Sequence, residues 1–354
     1  MRLTFCGDVS IAAAIRSRWE TISAGELLGG AAPLFRASDQ VFVNLECALT
    51  DQAAPIQKLG PNLSAPPRLA QLLRESGVTA CGLSNNHILD FGLPGLADTL
   101  RALEDAGLSY TGIGENARDA RRDWVFCEGG RTVRVLAVCE HEYSYALENV
   151  PGARAYDPYD TMADIRQAKE QADYVAVLYH GGKEHCPYPS PRLRRLCQAM
   201  AENGADLVLC QHSHCIGCYE EFQGATLLYG QGNFCFPYGD SSADWRQALA
   251  VQVELGDRPT VRFIPVETRD AGTFLAEDGA AREILDRLES RSRDLLTDAW
   301  LDGWHRFCEE NRSRYTDAIE KNTQLFAHYL DCEAHTDVWR ELFPTWRRSE
   351  ASAE

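Results

Sequence analysis

The sequence predicts an α/β protein carrying a helical C-terminal extension, and three observations lead there. Short apolar runs rich in strand-forming residues alternate with amphipathic segments through the first two-thirds of the chain. From about Ala281 onward the period becomes helical, with Leu285, Leu288, Leu295 and Leu296 on one face. Five of the apolar runs also stop at a side chain able to hold a cation.

Taken in order, Leu3–Cys6 is the first strand and Val41–Glu46 the second. Pro66–Gly77 reads as a helix, with prolines at its start, Leu69, Leu72 and Leu73 on one face and Gly77 as its stop. Val78–Ser84 is the third strand, and Leu93–Gly107 the next helix, with Leu96, Leu100 and Leu103 in register. Arg134–Cys139 is a fourth strand, followed by a loop through Pro151 and Pro158 and a helix over Thr161–Ala172. Tyr174–Tyr179 is the fifth strand, Ser190–Gly204 a helix opened by Ser-Pro, and Asp206–Cys210 the sixth strand. Thr226–Tyr229 and Phe234–Phe236 flank Gly230-Gln231-Gly232-Asn233. Ala248–Leu255 and Thr260–Val266, joined through Gly256-Asp257, read as an antiparallel hairpin. The expected organisation is a domain over 1–274 and a helical extension over 275–354, whose aromatics from Trp300 to Trp346 serve packing.

Composition narrows the functional classes. Lys plus Arg total 35 against 52 Asp plus Glu, a formal net charge of -17. Such a surface repels phosphate backbones, so no nucleic-acid partner is expected. A small anionic substrate stays open, because a bound cation reverses the local field. No window approaches the roughly 20 apolar residues of a membrane span, and the N-terminus lacks the apolar stretch of a signal peptide. Thirteen cysteines, an odd number without disulfide spacing and often inside apolar runs, point to a reducing, cytoplasmic setting.

The chemistry concentrates at the strand ends. Asp8, Glu46, Asn86-His87, His180 and His212-Ser213-His214 each follow an apolar run, and open α/β sheets bind ligands beyond the carboxyl ends of their strands. Imidazoles, carboxylates and an amide form a mixed nitrogen and oxygen set suited to zinc, manganese or iron rather than calcium. Taken singly, Asp8 reads as a turn or cap residue and Asn85-Asn86-His87 as a turn. His212-x-His214 stands out, since a spacing of two on an extended segment aims both rings to one side. Cys215-Ile216-Gly217-Cys218 admits a structural-zinc or redox role, although no second pair accompanies it. His141, His185, His305, His328 and His335 fit no motif and are expected in surface or packing roles.

The chain resembles the poly-gamma-glutamate capsule-synthesis protein (CapA) family, itself similar to calcineurin-like metallophosphoesterases. The resemblance rests on Phe5-Cys6-Gly7-Asp8, Val43-Asn44-Leu45-Glu46, Ser84-Asn85-Asn86-His87-Ile88-Leu89-Asp90-Phe91-Gly92 and His180-Gly181-Gly182-Lys183-Glu184. It continues through Gly204-Ala205-Asp206, Gln211-His212-Ser213-His214 and Tyr229-Gly230-Gln231-Gly232-Asn233-Phe234, about residues 1 to 240 in all. It implies a layered α/β/β/α metallophosphoesterase-like sandwich holding one or two divalent ions (Mn, Zn or Fe). By position, Asp8, Glu46, Asn86, His180, His212 and His214 would be ligands, with Glu46 bridging, and His87 would serve the leaving group. Asp90 and Glu184 would orient His87 or a ligand, with Asn85 and Asn233 on the same rim. Ser10 stands where the phosphoesterase Asp-x-His pattern has histidine, Glu46 where it has aspartate, and Gln211 in place of the usual glycine. The implied activity is metal-dependent hydrolysis of a phosphoester or amide of a small anionic substrate. The alternative is a non-catalytic, poly-gamma-glutamate-binding role.

Overall fold

In the computed structural model, which describes residues 1–10, 18, 21–237, 242–270 and 272–344, two sheets stack face to face between layers of helix. Across the first sheet the strands run Gly272–Leu275, Pro259–Arg269, Gln247–Leu255, Arg2–Val9, Gln40–Leu45, Ala80–Gly82 and Ser109–Thr111. Arg2–Val9 is its centre, parallel to Gln40–Leu45 and antiparallel to Gln247–Leu255. The second sheet runs Tyr219–Phe222, Ala225–Leu228, Leu207–Gln211, Tyr174–His180, Arg131–Cys139 and Trp124–Glu128, with its four inner strands parallel.

Strand alternation builds the layers. Leu3, Phe5 and Phe42 point into the space between the sheets, where they meet Val135, Ala176, Leu178 and Leu209. Their neighbours Cys6, Val9, Val41 and Val43 point the other way, onto the helices Arg68–Ser76 and Gly92–Asp105. In the second sheet Leu136, Val138, Val175 and Val177 face the helices Pro158–Glu170 and Pro191–Glu202. A period of two puts each apolar set on its own face, so strands buried on both sides read as unbroken apolar runs. The α/β/β/α sandwich expected from the sequence is therefore present.

Most predicted elements lie where the sequence placed them. Gly77 ends its helix in the left-handed region (φ 105°), and Ser190 caps Pro191–Glu202 through its hydroxyl. The hairpin pairs Gln247 with Glu267 through Leu255 with Pro259. Pro158 belongs to the helix rather than the preceding loop: it occupies the first turn behind an Asp157 cap, where its missing N–H costs nothing.

The C-terminal region is helical over Asp278–Asp294, Ala299–Glu310, Arg312–Lys321, Thr323–Asp331 and Glu333–Leu342. Residues 345–354, including Trp346, lie outside the described residues. The first of these helices sends Ile284 and Leu288 into the core between the sheets. The others pack Trp304, Cys308, Tyr315, Tyr329 and Val338 together with Cys186 of the body. A buried ionic network docks them: Arg192 binds both Glu140 (2.6 Å) and Asp337 (2.8 Å), and Glu140 also accepts the Ala334 N–H. Among the described residues, no helix is long and apolar enough to cross a membrane.

Candidate metal centre

The chelating side chains come from both sheets. Asp8, Glu46 and Asn86 stand at the carboxyl ends of three parallel strands of the first sheet. His180 ends its strand in the second sheet, and His212 and His214 follow Leu207–Gln211 there. The sandwich brings the two sets of strand ends together.

Close backbone packing fixes the floor. Gly7 abuts Gly232, and a Cβ on Gly7 would lie 2.1 Å from the Gly232 carbonyl oxygen, so only glycine fits. The register then sets Asp8 between Asn44 on one neighbouring strand and Asn233 on the other. Asp8 Oδ1 accepts from the Asn44 side-chain amide (2.7 Å) and Oδ2 from the His212 backbone N–H (3.1 Å). His212 and His214 both sit at positive φ (82° and 53°), an uncommon backbone for histidine that aims the two rings inward.

Glu46 lies at the middle. Its carboxylate is fully buried, yet neither oxygen has a hydrogen-bond partner. Around Oε1 stand His180 Nε2 at 3.5 Å, His214 Nε2 at 4.0 Å and His87 Nε2 at 4.0 Å. A buried carboxylate left unpartnered is costly. Spacings too long for hydrogen bonds and too short for a water layer are what ligands around a cation leave. Two donor triads share this residue: Glu46, His180 and His212, and Asp8, Glu46 and His214, the atoms of each within 4.8 Å of one another. The residues fit one or two divalent ions, with Glu46 common to both positions.

Neighbouring groups hold the donors in place. His214 Nδ1 lies 2.9 Å from Asn233 Oδ1, which leaves Nε2 facing Glu46. His180 Nε2 lies 3.0 Å from Asn86 Oδ1, while its Nδ1 lies 3.0 Å from the Asn44 amide. Asn85 donates to the Leu45 carbonyl and accepts the His87 N–H, fixing the turn. His87 Nδ1 is 2.7 Å from Asp90 Oδ2. Glu184 lines the cavity above, its half-exposed carboxylate 3.7 Å from Lys183.

The electrostatics suit a cation at this position. Burial, then the charges of Asp8, Glu184 and Glu142, push the Glu46 carboxyl well up; burial also raises Asp8. Burial lowers His180 far below its usual range and His212 to about 3, keeping both imidazoles neutral, the form that binds metal. Burial lowers His87 too, against the upward pull of Asp90.

Several participants were not read from the sequence. Lys58 sits in a loop without periodicity, yet its Nζ lies 2.5 Å from Asp90 Oδ1 and 3.1 Å from His87 Nδ1. Asn44, within the Val43-Asn44-Leu45-Glu46 run, reaches both Asp8 and His180 through its side-chain amide. Glu142, just past the strand Arg131–Cys139, accepts from Asn86 (3.0 Å), and its carboxyl is pushed up to about 7 by burial and then by Glu184. The strand-end rule that found Glu46 reaches Glu140 and Glu142 when applied to that strand. His328 and His335 line the cavity mouth, of about 220 Å³, rather than a distant surface. Cys215 and Cys218 are buried thiols, and burial pushes Cys215 up to about 12 and Cys218 well up, which disfavours the thiolate that redox chemistry or zinc would need. Gln211 fills the glycine position by donating to Gln231 (3.2 Å).

Two sheets closing over a carboxylate–imidazole centre, with a histidine–aspartate pair at its side, define the class of protein. The chain belongs to the family of the bacterial capsule synthesis protein PGA_cap, whose family model matches residues 2–238. It is 30% identical over 274 residues to the PGA biosynthesis protein CapA of Bacillus subtilis, covering 76% of this chain and 72% of that one. It is 29% identical over 269 residues to the capsule biosynthesis protein CapA of Bacillus anthracis, covering 73% and 65%. Among solved structures it is similar to a putative 5'-nucleotidase from Staphylococcus aureus, at 17% identity and a TM-score of 0.48, covering 82% of this chain and 58% of that one.

Proposed function

We propose that the protein is a metal-dependent hydrolase acting on a phosphoester or amide of a small anionic substrate. One observation carries the reading: the Glu46 carboxylate is buried and unpartnered while imidazole nitrogens from three chain segments surround it. Asp8, Glu46, Asn86, His180, His212 and His214 would hold one or two divalent ions. Such ions supply Lewis acidity, polarising the scissile group and making water nucleophilic near neutral pH.

The remaining work falls to this chain's own groups. Asp90 and Lys58 engage His87 at Nδ1, so Nε2 faces the centre and delivers or shares a proton with the departing atom. Lys58 and Lys183, beside the cavity, are each paired with a carboxylate, so the bound ions themselves would favour an anionic substrate despite the acidic surface. At about 220 Å³ the mouth is smaller than the roughly 300–1,000 Å³ of sites that engulf a drug-sized ligand, so it admits the end of a substrate. The reading keeps the chain in the cytoplasm, because its thirteen cysteines lack disulfide spacing and often sit in apolar runs.

The names of the two Bacillus relatives favour a second reading, in which the cavity binds poly-gamma-glutamate without cleaving it. A panel of phosphomonoesters, phosphodiesters and γ-glutamyl amides, assayed with manganese, separates them. Hydrolysis by the wild type that His87→Ala abolishes with metal still bound supports the hydrolase. No turnover of any substrate, with saturable binding of the polymer, supports the second reading.

A further inference from the structure

We propose that Glu142, His328 and His335 form a separate zinc-type cation site at the cavity mouth, through which a metal ion fastens the C-terminal helices to the sandwich. The three residues come from the segment after Arg131–Cys139 and from the helices Thr323–Asp331 and Glu333–Leu342, and their ligand atoms all lie within 4.8 Å of one another. His328 Nε2 stands 3.4 Å from Glu142 Oε1, about the spacing of two ligands on a four-coordinate ion with bonds of roughly 2.0–2.2 Å. His335 completes the set, its ligand atom within 4.8 Å of the other two.

Each donor is prepared by its surroundings. Tyr315 OH lies 2.8 Å from His335 Nδ1, which leaves Nε2 for the ion. The Tyr329 ring stacks on His335 (centroids 4.2 Å, 20°) and the Tyr143 ring on His328 (4.7 Å, 10°), so neither imidazole turns freely. Glu142 divides its oxygens: Oε2 accepts from Asn86 on the inner side, and Oε1 faces His328. The nearby ammonium groups are offset, Lys58 by Asp90 and Lys183 by Glu184. Two imidazoles and one carboxylate are a borderline-soft set that suits zinc better than magnesium or calcium. All three residues are partly exposed, so an ion reaches them from solution.

The test is equilibrium dialysis of the chelator-treated full chain against Zn²⁺, with elemental analysis, for the wild type and two double variants. One carries His328→Gln and His335→Gln; the other carries Glu46→Gln and His214→Gln at the inner centre. The proposal expects the mouth variant to bind one equivalent fewer than the wild type, and the inner variant to retain that equivalent. In the inner variant, Zn²⁺ should also slow proteolytic cleavage within residues 299–342. Equal zinc stoichiometry and affinity in wild type and mouth variant would overturn it. So would an inner variant that binds no zinc, or one whose cleavage zinc leaves unchanged; the last readout holds even where the mouth variant does not fold. Because the readout is binding at the mouth, an inactive or metal-free inner centre would sink the hydrolase reading and leave this one standing.

Discussion

Lys58 Nζ lies 2.5 Å from Asp90 Oδ1, and the two side chains are only 1% and 0% exposed. Asp90 spends its other oxygen on His87 Nδ1 (2.7 Å) and the Leu63 N–H (2.6 Å). The ion pair therefore anchors the residue that aims His87. Removing one partner of a buried pair leaves a charge uncompensated, at a cost of about 3–5 kcal/mol. Lys58→Met should lower stability by that order in denaturant titration. It should cut turnover at least roughly tenfold while metal content is unchanged, and Lys58→Arg should restore part of both.

Asn233 acts on metal binding at one remove. It accepts from His214 at 2.9 Å and donates to the Trp245 carbonyl at 3.1 Å, so it fixes the ring that faces Glu46. Asn233→Ala should weaken manganese binding by roughly 10–100-fold in calorimetry, with circular dichroism unaltered.

Proton release on metal uptake should trace to Glu46. Its carboxyl is pushed well up by burial and by neighbouring acids, whereas His212, down at about 3, is already neutral at ordinary pH. Where Glu46 holds a proton a cation displaces it, so affinity should rise with pH. Calorimetry in buffers of different ionisation enthalpy should show net proton release in the wild type and less in Glu46→Gln.

Docking of the C-terminal helices should depend on pH through His141 and Glu333, 2.6 Å apart. The Glu333 hydrogen bond raises His141 above its usual 6.5, against burial. Stability from that group is full below about 6.5 and is lost as pH rises through the folded value. Burial pushes Glu333 up, but hydrogen bonds from the His141 side chain and backbone bring it below its usual 4.5. That contribution is full above about 4.5 and is lost as pH falls through the folded value. Resistance of residues 299–342 to proteolysis should therefore be greatest between about pH 4.5 and 6.5, and Glu333→Gln should flatten the profile.

Arg192, its side chain a quarter exposed, also ties these helices to the body, bridging the buried carboxylates of Glu140 and Asp337. Arg192→Ala should cost on the order of 3 kcal/mol and make the helices the first region cut by protease.

The sequence carried the sandwich and its inner centre because both are written in local patterns. Apolar runs of strand length end at Asp8, Glu46, Asn86, His180 and His212, and the fold brings those ends together. That the ends belong to two sheets was not legible, since a run such as Val175–Leu178 reads the same in either. Lys58 and Asn44 were missed for different reasons. Lys58 reaches Asp90 from an irregular loop, and Asn44 is a polar residue inside a strand whose use depends on the neighbouring strand's register. His328 and His335 had no motif at all: only tertiary packing folds the C-terminal helices back over the cavity.

Anomalous diffraction from crystals grown with manganese tests the central claim most directly. One or two peaks are predicted beside the Glu46 carboxylate, within reach of His180 and His212, of Asp8 and His214, or of both sets. A well-ordered, fully buried Glu46 with no anomalous peak within about 3 Å of either oxygen would contradict the account.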